Sequence, residues 1–66
     1  MMRDKLLEAS REHFLAHIKK HKVNVEILLE NPRGIAEHPD IMETIEKELD
    51  HMADYHDKLE MLNIYF

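Results

Sequence analysis

This sequence predicts an all-α fold, an antiparallel helical hairpin. The observations behind it are two long apolar stripes of helical period and a single break between them. The break is Asn31-Pro32-Arg33-Gly34. Proline cannot continue a helix, and glycine tolerates the left-handed backbone that ends one. With 66 residues the chain is one domain, 1–66. The expected elements are a helix over about 3–30, a turn over about 31–38 and a helix over about 39–62.

In the first helix Leu7, Phe14, Ile18, Val25 and Leu28 share one face, with His21 among them. Their spacing is close to a heptad seam. No strong N-cap precedes the helix, so its start should fray. Val23-Asn24-Val25 has strand character, but Glu26-Ile27-Leu28-Leu29-Glu30 keeps the helical spacing through it.

Two signals mark the second helix. His38-Pro39-Asp40 offers a proline in the first turn, where an N–H has no partner anyway. Asp40-Ile41-Met42-Glu43 matches a capping box. The two registers differ, and the sequence does not choose between them. The expected seam is Met42, Ile45, Leu49, Met52, His56 and Leu59, with Ile41 and Tyr55 beside it. The hairpin core is then Phe14, Ile18, Val25 and Leu28 against Ile45, Leu49, Met52 and Leu59. Ile35, the one large apolar residue of the connection, is expected to plug the open end. The tail Met61-Leu62-Asn63-Ile64-Tyr65-Phe66 should fold back or pack on another chain.

A chain this short buries roughly 60% of its unfolded surface and usually needs a disulfide, a metal or a partner subunit. The absence of Cys removes disulfides and Cys-based zinc sites. Nine basic against 14 acidic residues, net −5, argue against general binding of nucleic acid. No apolar run approaches the ~20 residues of a membrane span. The N-terminus lacks the apolar core of a signal peptide. The expectation is a cytoplasmic protein. Charge is also segregated. Residues 1–31 carry six bases and five acids, a net of +1, whereas 37–60 carry nine acids and two lysines, a net of −7. Folding back should bring Lys19, Lys20 and Lys22 near Glu48, Asp50 and Asp54, as solvated pairs each worth about 0–1 kcal/mol.

Helix 1 has a second apolar arc. Ala9, Ala16, Val23 and Ile27 fall opposite the Phe14–Val25 face at about 100° per residue. A lone hairpin needs one apolar face per helix. This arc therefore predicts a homo-oligomer interface, with two hairpins closing into a four-helix bundle.

Six histidines invite a metal reading. His13, His17 and His21 form an i, i+4, i+8 ladder, and neighbouring imidazoles can share an ion. Glu48-Leu49-Asp50-His51 is a Glu-x-x-His element of the kind di-iron bundles use. The positions facing it are Lys20, His21 and Lys22, so the further carboxylates such a centre needs are missing. A zinc site from His17, His21 and His51 is the alternative. The plainer reading places His21 and His56 in the seam and the other histidines on its boundary, with no cofactor. Catalytic residues are not expected. Ser10, Thr44 and Gly34 are the only residues of their types, which leaves no nucleophile–base–oxyanion set and no phosphate loop. Met42 and Met52 read as ordinary core by their spacing.

The stretch His21-Lys22-Val23-Asn24-Val25-Glu26-Ile27-Leu28-Leu29-Glu30-Asn31-Pro32, then Gly34-Ile35-Ala36-Glu37-His38-Pro39-Asp40-Ile41-Met42, resembles small uncharacterised proteins of marine tailed phages, cyanophages in particular. The resemblance extends through Asp57-Lys58-Leu59-Glu60 to Tyr65-Phe66. It implies a phage accessory or assembly protein acting in a host cytoplasm or in the virion. No activity and no functional residue carries over. The leading expectation is a non-enzymatic, self-associating interaction module with a host or virion protein as partner. A His/carboxylate metal-binding bundle and an acidic nucleic-acid mimic are the alternatives.

Overall fold

The computed structural model describes residues 1–30 and 40–66. Two helices account for them, α1 (Met2–Glu30) and α2 (Ile41–Tyr65), packed against each other as a hairpin. The described residues form a rod of 50 × 15 × 15 Å. The break at 31–34, the Ile35 plug and the Pro39 start lie outside the described residues.

α1 turns one continuous face to α2. Leu7, Phe14, His21 and Leu28 recur every seven residues along its centre. Ser10, His17 and Asn24 run down one side, and Arg11, Ile18 and Val25 down the other. All are buried or half-buried. The seven-residue repeat is that of helices wrapping around each other, because 3.5 residues per turn keeps one seam facing the partner. The centre column is mostly apolar, while Ser10, His17 and Asn24 are polar and face inward all the same. Only Leu28, 5% exposed, and His21, 8% exposed, are buried outright.

α2 begins as the capping box specifies. The Asp40 side chain accepts a hydrogen bond from the Glu43 N–H at 2.9 Å, and Ile41 is the first helical residue. The Thr44 hydroxyl donates to the Asp40 carbonyl at 3.2 Å. At its other end α2 continues to Tyr65, past the expected stop at 62. The tail thus extends the rod rather than folding back, with Ile64, Tyr65 and Phe66 exposed and Leu62 half-buried. The Arg11 side chain crosses from α1 to donate to Asn63 Oδ1 at 2.9 Å, and Arg3 donates to the Phe66 carbonyl at 3.4 Å.

The seam of α2 is rotated from the one its sequence suggests. Ile41, Glu48, Tyr55 and Leu62 form one inward column, and Ile45, Met52 and Leu59 the other. Met42, Leu49 and His56 form the next column round the helix. Leu49 is 49% exposed and Met42 81% exposed, so neither is in the hairpin core. The physical cause is Glu48. Its carboxylate finds donors on α1 and turns inward, and that rotation carries Leu49, its neighbour in sequence, out to the flank.

Leu28→Ala removes the best-buried apolar side chain and should cost on the order of 2–5 kcal/mol in urea unfolding. An unchanged midpoint would place residue 28 outside the core. Asp40→Ala removes the cap of α2 and should cost ~1 kcal/mol in the same assay.

Candidate functional site

The polar residues that α1 turns inward meet their counterparts on α2 halfway along the rod. The antiparallel register sets His21 and Asn24 across from Glu48, and His17 across from Tyr55. His21 Nδ1 lies 2.5 Å from Glu48 Oε2. An ionised carboxylate only accepts, so Nδ1 carries the proton and donates. Asn24 Nδ2 donates to the same oxygen at 3.2 Å. These two hydrogen bonds are charge-assisted, which makes them stronger than neutral ones.

The imidazole ladder of α1 then runs along Tyr55. His17 stacks on the Tyr55 ring at 4.3 Å between centroids, and His13 meets His17 edge-on at 4.5 Å. His51 of α2 stacks on His21 at 4.6 Å. The Lys58 ammonium sits over the Tyr55 ring, 4.9 Å from its centroid, where a cation is attracted by the ring face. The layer thus holds four histidines, one tyrosine, one asparagine and a single carboxylate.

Electrostatics follow from this crowding. Glu48 is held below the ordinary carboxylate value of 4.5, first by the His21 hydrogen bond. Burial opposes that shift, while the Asn24 hydrogen bond and the charges of His21 and His51 add to it. His17 is pushed below the ordinary imidazole value of 6.5, first by burial and then by the charges of His13, Lys20, His21 and Lys58. Its Nδ1 is buried and makes no hydrogen bond among the described residues. A neutral imidazole stacked on a phenol ring suits that environment, and an imidazolium does not.

The sequence named His17, His21 and His51 as a zinc set. The fold does bring them into one layer, as stacked rings rather than converging ligands. Among the described residues, one group of three has potential ligand atoms within 4.8 Å of one another, and it is His56, Asp57 and Glu60 on the exposed face of α2. His56 Nδ1 and Glu60 Oε2 there stand 3.9 Å apart, an ordinary i, i+4 pair. The Glu-x-x-His element splits its roles: Glu48 binds His21, and His51 stacks on it.

His21 and Glu48 also have the form of a carboxylate-oriented base. The one serine, Ser10, is eleven positions from His21, about 16 Å along α1 at 1.5 Å per residue. The Thr44 hydroxyl is engaged with the Asp40 carbonyl. Neither Ser10 nor Thr44 therefore offers the dyad a free aliphatic hydroxyl. Its physical effect is on pairing. A buried polar layer makes any shifted register leave donors unpartnered, which fixes register at some cost in stability.

The expected lysine pairing is absent among the described residues. Lys19, Lys20 and Lys22 form no ion pair with Glu48, Asp50 or Asp54; the ion pair joining the two helices is His21–Glu48. The residues proposed for an oligomer contact, Ala9, Ala16, Val23 and Ile27, are all exposed on the hairpin. Sequence reasoning missed Glu48, Asn24 and Tyr55 as partners in one layer. The available signal was the polar column Ser10, His17, Asn24 at seven-residue spacing. Comparison with protein-family models, curated proteins and solved structures finds no match.

Replacing Glu48 by Ala strands the His21 and Asn24 donors and should destabilise the hairpin by about 1–3 kcal/mol. Replacing His21 and Glu48 together by Leu should recover most of that loss. Equal losses in the single and double variants would argue against the pairing.

Acid should weaken the fold in two stages. Unfolded, His17 titrates near 6.5, and folded it titrates lower, so the unfolded chain binds more protons as pH drops below 6.5. Stability is complete above that point and declines on the way to the folded value. Glu48 adds the same sign of loss below 4.5, as it is protonated. Urea midpoints at one protein concentration should fall from neutral pH downward, and His17→Phe should flatten the first stage. A midpoint constant through both stages would contradict these assignments.

Proposed function

We propose that the chain is a non-enzymatic protein-interaction module that works as a homodimer, two hairpins closing into a four-helix bundle. One observation carries this reading. Among the described residues the hairpin buries a single apolar side chain, Leu28, while thirteen large hydrophobic residues stay exposed. Full burial of one Leu or Ile is worth about 1.5–3 kcal/mol. Domains are stable by only roughly 0.05–0.15 kcal/mol per residue, so a few such side chains decide the outcome. A second hairpin is the simplest cover, because helices with two apolar sides are the normal components of a bundle.

In such a bundle the outer face of α2 stays in solvent. It carries Glu43, Asp50, Asp54 and Asp57, all exposed. That acidic ridge is the surface offered to a basic partner, since charge complementarity steers encounter more than it adds affinity.

Sedimentation over roughly 1–500 μM should show a dimer, and the melting temperature should rise with concentration. A stable monomer throughout, with a constant melting temperature, would rule the reading out.

A further inference from the structure

The hairpin has two long flanks, and they differ in chemistry. The Arg11–Asn63 hydrogen bond shows that the Arg11, Ile18, Val25 column of α1 borders the Met42, Leu49, His56, Asn63 column of α2. The His21–His51 stack shows that the other flank joins the His17 side of α1 to the Thr44, His51, Lys58 column of α2. Toward the turn, the first flank is apolar apart from Lys22. Ile18 and Val25 are half-buried, and Leu15 and Leu29 stand exposed on the next column outward. On α2 it continues through exposed Met42 and Leu49, which with Ile45 line an open groove edged by Asp40, Glu43 and Glu46. The second flank interrupts its apolar residues with charge. Exposed Ile27, beside Thr44, shares its column with His13 and Lys20, and Thr44 shares its own with His51 and Lys58.

The geometry points to the Leu15–Val25–Leu29/Met42–Leu49 flank as the surface on which a second copy of this chain docks. The inference rests on the homodimer proposed above and names its face and its axis. Charge selects the axis. The described part of α1 carries six bases and five acids, and α2 carries seven acids and two lysines. A two-fold axis across the rods would lay α1 on α1 and acidic α2 on acidic α2. An axis along the rods lays α1 of each copy on α2 of the other. Lys22, on the Leu15–Leu29 column, then comes to the Glu46 side of the groove. Both turns lie at the same end, and every neighbouring pair of helices runs antiparallel. The apolar patches also coincide in height, because each occupies the turn half of its rod.

Two measurements test this. Leu49→Glu should raise the dimer dissociation constant at least 100-fold, while Val23→Glu should change it less than threefold, with circular dichroism confirming that both stay helical. The chain has no cysteine, so Lys5→Cys on the otherwise native chain takes one nitroxide per copy, on the outward face of α1. With the axis along the rods, the two labels should be about 15–25 Å apart by pulsed electron resonance, set by helix packing distances. With the axis across the rods and the patches superposed, they would be about 50 Å apart at 1.5 Å per residue. A dimer broken by Val23→Glu and not by Leu49→Glu overturns the face and leaves the homodimer standing. Labels near 50 Å overturn the axis, whatever the glutamate variants do. A monomer at every concentration overturns both the face and the homodimer.

Discussion

The rotation of α2 about its own axis depends on one contact, the Glu48 carboxylate between His21 and Asn24. A carboxylate facing the inside of a bundle is costly unless donors meet it there. Both donors come from α1, one at a time per turn, and they fix height as well as rotation. Once Glu48 points inward, Tyr55 follows seven residues later and lands on His17. Ile41 and Leu62 complete the column at the ends. Met42, Leu49 and His56 are displaced together, because they share one turn-phase.

This explains how far the sequence could be read. Two helices, their antiparallel pairing and the inward side of α1 follow from Phe14, Ile18, Val25 and Leu28, whose spacing admits one face. The cap of α2 follows from Asp40 and Glu43. The inward side of α2 does not follow in the same way, because two columns, Met42–Leu49–His56 and Ile41–Glu48–Tyr55–Leu62, flank the same apolar Ile45–Met52–Leu59 line. Hydropathy favours the column with Leu49 over the one with Glu48. Only the donors on the other helix reverse that preference, and a rule applied to one helix at a time cannot include them. The histidine ladder was visible as a spacing, whereas its stacking on Tyr55 needed the register.

The same contact also shapes the exposed surface of the hairpin. Displaced from the hairpin seam, Leu49 and Met42 widen the apolar surface on one flank, and Val25 and Leu29 adjoin it from α1. The polar layer and the exposed patch are thus two results of one rotation. A chain this small gains little by hiding a carboxylate from water if stability is the only criterion. It gains more if the rotation presents Leu49 to a neighbour.

Charge then separates the two flanks further. The flank bearing His13, Lys20, His51 and Lys58 carries lysines and imidazoles, with Glu48 the one carboxylate within the layer. Two such flanks meeting across an interface would bring their lysines toward one another, and like charges repel. The opposite flank keeps Leu15, Val25, Leu29, Met42 and Leu49 toward its middle and the carboxylates Asp40, Glu43 and Glu46 along its edge. A second copy docked there would therefore meet apolar side chains first and carboxylates at the rim. Acid weakens the hairpin through His17 and Glu48, and a dimer contact built on that flank would weaken with the hairpin that holds it in place.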